Sequence, residues 1–119
     1  MLVRNLNRCE EFMAADETIL RELLHPAKAD LILRYSLAHA VVKPGHTSQA
    51  HRMKTSEVYY ILEGQGLMHI GDETSPVAPG DAVYIPPDAI QFINNTGNSD
   101  LKFLCIVDPA WRPEDEVII

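Results

Sequence analysis

Residues 45–66 read Gly45-His46-Thr47-Ser48-Gln49-Ala50-His51-Arg52-Met53-Lys54-Thr55-Ser56-Glu57-Val58-Tyr59-Tyr60-Ile61-Leu62-Glu63-Gly64-Gln65-Gly66. The stretch opens on the Pro44-Gly45 break and its β-rich run stops at Glu63-Gly64. Residues two apart share one face of a strand, so His51 and Met53 point the same way if they lie on one. A short break at Lys54-Thr55-Ser56 lets the chain reverse, and Glu57 then opens a second strand toward the same interior. Tyr59 and Ile61 follow Glu57 at period two and line that interior as well.

A second stretch makes the first specific. Residues 80–95 read Gly80-Asp81-Ala82-Val83-Tyr84-Ile85-Pro86-Pro87-Asp88-Ala89-Ile90-Gln91-Phe92-Ile93-Asn94-Asn95. Together the two resemble the paired motifs of the cupin superfamily. The first motif, Gly, five residues, His-x-His, three or four residues, Glu, six residues, Gly, falls on Gly45, His51, Met53, Glu57 and Gly64. The second, Gly, five residues, Pro-x-Gly, two residues, His, three residues, Asn, falls on Gly80, Pro86, Asp88, Gln91 and Asn95. Met53 and Gln91 stand where the family carries its second and third histidines, and Asp88 stands where it carries glycine. The resemblance spans residues 30–108. It implies an all-β chain folded as a cupin-type double-stranded β-helix, a jelly-roll barrel of two facing antiparallel sheets with a pocket at one end. It also implies a homodimer formed through sheet edges.

The remaining sequence bounds the class. The 119 residues suffice for a single domain, divided as an N-terminal arm of undecided structure over 1–29, the barrel over 30–108, and an acidic C-terminal tail over 109–119. The net charge is −7 with no cluster of Lys or Arg, which disfavours nucleic acid and anionic membranes as partners and leaves a small molecule or another protein. No apolar run reaches the length of a membrane span, and residues 1–11 lack the apolar core of a signal peptide, so a cytoplasmic location is expected. Cys9 and Cys105 form no Cys-x-x-Cys and are expected as thiols.

Along the chain, Arg8 to Ala15 suits two turns of helix or an irregular arm. Residues 17–24 suit a helix capped by Asp16, with Leu20, Leu23 and Leu24 on one side, whereas the resemblance favours an edge strand. His25-Pro26 ends the element in either case. Asp30 to Lys43 reads as one long strand. Turn signals then recur at short intervals as far as Gly97, as in a sandwich or barrel. In the last strand, Lys102 faces water, so Leu101, Phe103, Cys105 and Val107 face inward. Trp111 is an anchor for the extended acidic tail.

Candidate site residues follow from chemistry and motif position. The resemblance implies one transition-metal ion, zinc, manganese, iron, nickel or copper, held by His51 and Glu57 with help from Gln91 or from His46 in the loop after Pro44-Gly45. Without a metal or cation, an inward Glu57 has its pKa raised by desolvation and carries a proton. Met53 either ligates a soft metal or fills an apolar gap. Gln91 offers an amide oxygen to a metal or a hydrogen bond to substrate. Tyr59, Met53 and Cys105 are the expected ligand-contacting walls. His25, His39 and His69 hold no motif position and read as structural or exposed. Three functions stay open: a metal-dependent enzyme on a small acid, sugar or phenolic, a metal-free binding or sensor module, and a structural dimeric barrel.

Overall fold

The computed structural model describes all 119 residues as a nearly all-β fold. Eleven strands run β1 (Glu11–Met13), β2 (Ile19–Leu24), β3 (Ser36–Val42), β4 (His51–Met53), β5 (Ser56–Glu63), β6 (Gly66–Ile70), β7 (Glu73–Val77), β8 (Ala82–Ile85), β9 (Gln91–Asn95), β10 (Leu101–Asp108) and β11 (Glu116–Ile118). They make a six-stranded sheet in the order β1-β2-β3-β10-β5-β8 and a five-stranded sheet in the order β11-β4-β9-β6-β7. Every pairing is antiparallel, as the double-stranded β-helix requires. No helix is long and apolar enough to cross a membrane.

The period-two pattern sets which side chains enter the interior. On β10, Leu101, Phe103, Cys105 and Val107 are buried while Lys102, Leu104 and Ile106 are less so. On β5, Glu57, Tyr59 and Ile61 are buried, and Tyr60 and Leu62 are exposed. One end of the barrel is filled by Ile61, Met68, Ile85, Ile93, Leu101 and Phe103, which pack as one apolar cluster. Nearer the other end of the same strands lie Ser36, Ala38, Glu57 and Val107, and the interior there stays open as a cavity. The change from packed core to cavity therefore runs along individual strands.

Two motif positions show why their residue types are needed. Gly64 has φ of 84°, and a Cβ there would lie 2.5 Å from the Asp100 carbonyl oxygen, so the turn after β5 admits only glycine. Asp88 has φ of 65°, a left-handed conformation that Asp tolerates better than most residues, and its N–H donates to the Met53 carbonyl at 2.7 Å.

Residues 1–35 differ from several sequence expectations. A three-residue 3₁₀ turn at Leu6–Arg8 is the only helical piece there, and Glu11–Met13 is strand. Residues 17–24 contribute β2, which lies inside the sheet because β1 covers its outer side. Asp16 caps no helix. Its Oδ1 accepts from the Thr18 N–H at 3.1 Å and the Thr18 hydroxyl at 2.7 Å, which tightens the β1–β2 hairpin. The long strand expected over 30–43 shrinks to Ser36–Val42, because its pairing with β2 ends at Leu24, opposite Leu37, and its pairing with β10 ends at Val107, opposite Ser36. Ile32 is fully exposed as a result. Beyond Asp108, the acidic tail forms a 3₁₀ turn at Pro113–Asp115 and then β11, which pairs with β4.

Candidate functional site

The cavity measures about 310 Å³ and lies between the two sheets. That is near the lower end of small-molecule sites. A larger groove between the N-terminal arm and β2 is open to solvent and contains none of the motif residues.

His51 enters the cavity from β4 and is 1% exposed. Its Nδ1 lies 2.9 Å from the Gln49 carbonyl oxygen. A carbonyl only accepts, so Nδ1 carries the proton, and in the neutral ring Nε2 is left as an acceptor. Nε2 stands 3.8 Å from Asp16 Oδ2, beyond hydrogen-bond reach.

Glu57 and Tyr59 enter from the facing sheet and meet Gln91. The Tyr59 hydroxyl donates to Gln91 Oε1 at 3.1 Å, and Gln91 Nε2 donates to Glu57 Oε1 at 3.0 Å. Because β4 and β9 place His51 opposite Gln91, this chain of hydrogen bonds ties the imidazole's strand to the carboxyl's strand. Burial pushes the Glu57 pKa up to about 8, with the negative charges of Asp16 and Glu116 adding to the rise and the Gln91 hydrogen bond opposing it. Glu57 is therefore a neutral acid near pH 7, with an O–H to donate. Burial also pushes the Tyr59 hydroxyl and the Cys105 thiol well up, so Cys105 is an inert wall and no nucleophile.

Of the expected site residues, His51, Met53, Glu57, Tyr59 and Cys105 line the cavity, and Gln91 lies buried behind them. His46 does not join them. It is exposed in the turn after β3, fixed there by backbone bonds to Lys43 and Asn95. His25 donates from Nε2 to the Trp111 carbonyl at 2.7 Å, since its Nδ1 accepts from Ala27 N–H. His69 stacks on Phe92 with centroids 4.1 Å apart, and His39 is buried, so both are structural.

This donor set does not fit the metal that the resemblance implies. Both ends of the Gln91 amide are engaged, Met53 offers only a thioether, and His46 is outside the cavity. No three His, Cys, Asp or Glu side chains are gathered closely enough to hold an ion.

Two site residues were not legible in the sequence. Asp16 comes from the β1–β2 hairpin and Glu116 from β11, whose register sets Glu116 opposite Met53 and Ile118 opposite His51. Burial raises the Glu116 pKa, and the nearby His51 opposes the rise. The one sequence signal for Asp16 is Asp-x-Thr, which favours a turn and would have replaced the helix reading of 17–24. For Glu116 no motif gives a signal, since only long-range pairing brings it to the cavity.

Among known families, the model of the cupin domain matches residues 38–107. The chain is a cupin. An uncharacterised protein of Methanocaldococcus jannaschii is 41% identical to it over 114 residues, covering 95% of this cupin and 90% of that protein. The oxalate-binding protein of Thermotoga maritima is 34% identical over 88 residues, covering 73% of this cupin and 68% of that protein. A Thermotoga maritima crystal structure described as a predicted oxalate decarboxylase superposes with a TM-score of 0.79 at 25% identity, covering 91% of this cupin and 99% of that chain. His51, Glu57, Tyr59 and Gln91 fall within the matched cupin residues. Asp16 and Glu116 lie outside them.

Proposed function

We propose that this cupin binds a small organic molecule in the barrel cavity and moves a proton on it, with His51 as acceptor and Glu57 as donor and with no resident metal. One observation carries the reading: a neutral carboxyl and an imidazole acceptor nitrogen face one cavity, each held in place by a hydrogen bond, from Gln91 to Glu57 and from His51 to the Gln49 carbonyl. An acid and a base on the two sides of a bound molecule supply general acid–base catalysis. Tyr59 and Gln91 position Glu57, and Met53, Phe103 and Val107 give the cavity apolar walls.

Deuterium exchange tests this whatever the substrate is. The protein is incubated in D2O with a library of small organic compounds, and incorporation at carbon is read by mass spectrometry. At least one compound is expected to exchange, with the rate falling roughly a hundredfold in His51→Gln and in Glu57→Gln. Full exchange in His51→Gln would overturn the assignment. Compounds that bind without exchanging would reduce the protein to a binding module.

The outer face of the six-stranded sheet supports pairing with a second copy of the chain. There Val58 sits beside Ile106 and Tyr84, and Tyr60 beside Leu104, with Tyr60 and Tyr84 43% and 63% exposed. Contiguous apolar surface of this kind is uncommon on a monomer. Sedimentation equilibrium is expected to give twice the chain mass for the wild type and a shift toward monomer for Tyr60→Lys. A wild-type monomer at tens of micromolar would refute the pairing.

A further inference from the structure

We propose that the cavity selects a small organic ammonium ion with an apolar or aromatic body, and that Asp16 and Glu116 are the residues that set this preference. The proposal rests on the cavity being the ligand site and adds the chemical class of the ligand.

His51 is buried, and its Nε2 faces Asp16 Oδ2 at 3.8 Å, too far apart for a hydrogen bond between them. Because Nδ1–H is already bound to the Gln49 carbonyl, neither atom of this pair has a proton to give the other when the ring is neutral. A ligand group with several N–H donors satisfies both acceptors at once. An alcohol has one hydrogen to donate and reaches only one of them. A carboxylate has none and places its charge against Asp16.

The surrounding charge points the same way. Four carboxyl side chains, Asp16, Glu22, Glu116 and the neutral acid Glu57, line the cavity against a single ammonium, that of Lys28. Lys28 lies 2.6 Å from Glu22 and is itself 66% exposed, so its charge is directed at the rim. The lining holds no other Lys and no Arg. Phe12, Tyr59, Phe103 and Trp111 also line the cavity, and aromatic faces attract organic cations. A dicarboxylate such as the oxalate of the Thermotoga maritima relative would place its charge against the Asp16 carboxylate here.

Matched fragments test the proposal on the full chain in buffer containing EDTA. Phenethylamine, phenethyl alcohol and hydrocinnamate share one body and differ in the headgroup, and their cyclohexyl and indolyl counterparts extend the set. Binding is measured by calorimetry and located by shifts of the His51 ring resonances. The amines are expected to bind at least about tenfold tighter than the alcohols, and the acids weakest. Asp16→Asn keeps the Oδ1 that holds Thr18 and is expected to lower amine affinity about tenfold, more than it lowers that of the alcohols. Glu116→Gln, on a different element, is expected to act the same way, and thermal melting checks that both variants fold.

Acids that bind at His51 as tightly as amines would overturn the ammonium proposal and leave the cavity reading intact. So would amine binding that is indifferent to both substitutions. Amine binding that requires added zinc would also overturn it, because the cation would then be the metal. If no headgroup moves the His51 resonances, the cavity reading falls as well.

Discussion

Replacing Glu57 with Gln is expected to remove about 4 kcal/mol of pH-dependent stability loss between about pH 4.5 and about pH 8. The sign follows from where the proton sits. The Glu57 pKa rises from 4.5 in the unfolded chain to about 8 in the fold, with burial as the main cause. Between those values the folded protein holds a proton that the unfolded chain releases, so stability falls as pH rises. The fall is complete above the folded value, where the buried carboxyl must ionise. Glutamine has the same shape, still accepts from Gln91 Nε2 through its amide oxygen, and has no proton to lose in this range. Urea melts of both proteins near pH 5 and near pH 8.5 measure the difference, since all other titrating groups are common to the two. Wild type and variant losing equal stability across that interval would show that Glu57 does not titrate as a buried acid. The function argued above would then lack its proton donor.

Phe103→Ala is expected to destabilise the fold by roughly 3–5 kcal/mol, as large aromatic-to-alanine changes in packed interiors do. Phe103 is 0% exposed at the centre of β10 and belongs to the apolar cluster. Its ring also lies 4.4 Å from that of Tyr59 at a tilt of 34°, and it forms part of the cavity wall. The substitution therefore has two readouts. Denaturant melts record the loss of core packing, a large share of the 5–15 kcal/mol that holds a typical domain folded. Ligand binding records the second effect, because Tyr59 loses the ring that fixes it beneath Gln91. A loss below about 1 kcal/mol would mean that the neighbouring side chains collapse into the space, contrary to a core packed from both sheets.

How much of this was legible in the sequence differs between the barrel and its ends. The spacing of His51, Met53, Glu57 and Gly64 depends on one tight turn and the alternation of a strand, both local, and the structure places them as that alternation requires. The inward face of β10 was legible for the same reason, because one charged residue, Lys102, fixes the phase of the whole strand. Local pattern failed where long-range pairing decides. Leu31, Ile32 and Leu33 look like strand, yet no neighbouring strand extends far enough to pair with them. Residues 17–24 have helical spacing, yet β1 and β3 take them up from both sides. The metal ligands implied by the resemblance fail at Gln91 and His46. Sequence position cannot reveal that the amide is engaged with Tyr59 and Glu57, or that the imidazole of residue 46 stays outside the cavity.

Asp16 and Glu116 reach the cavity from segments that flank the matched barrel. Shell and selectivity thus sit on separate stretches of polypeptide, so grafting the hairpin and β11 onto a sister barrel should transplant the choice of guest without rebuilding the host.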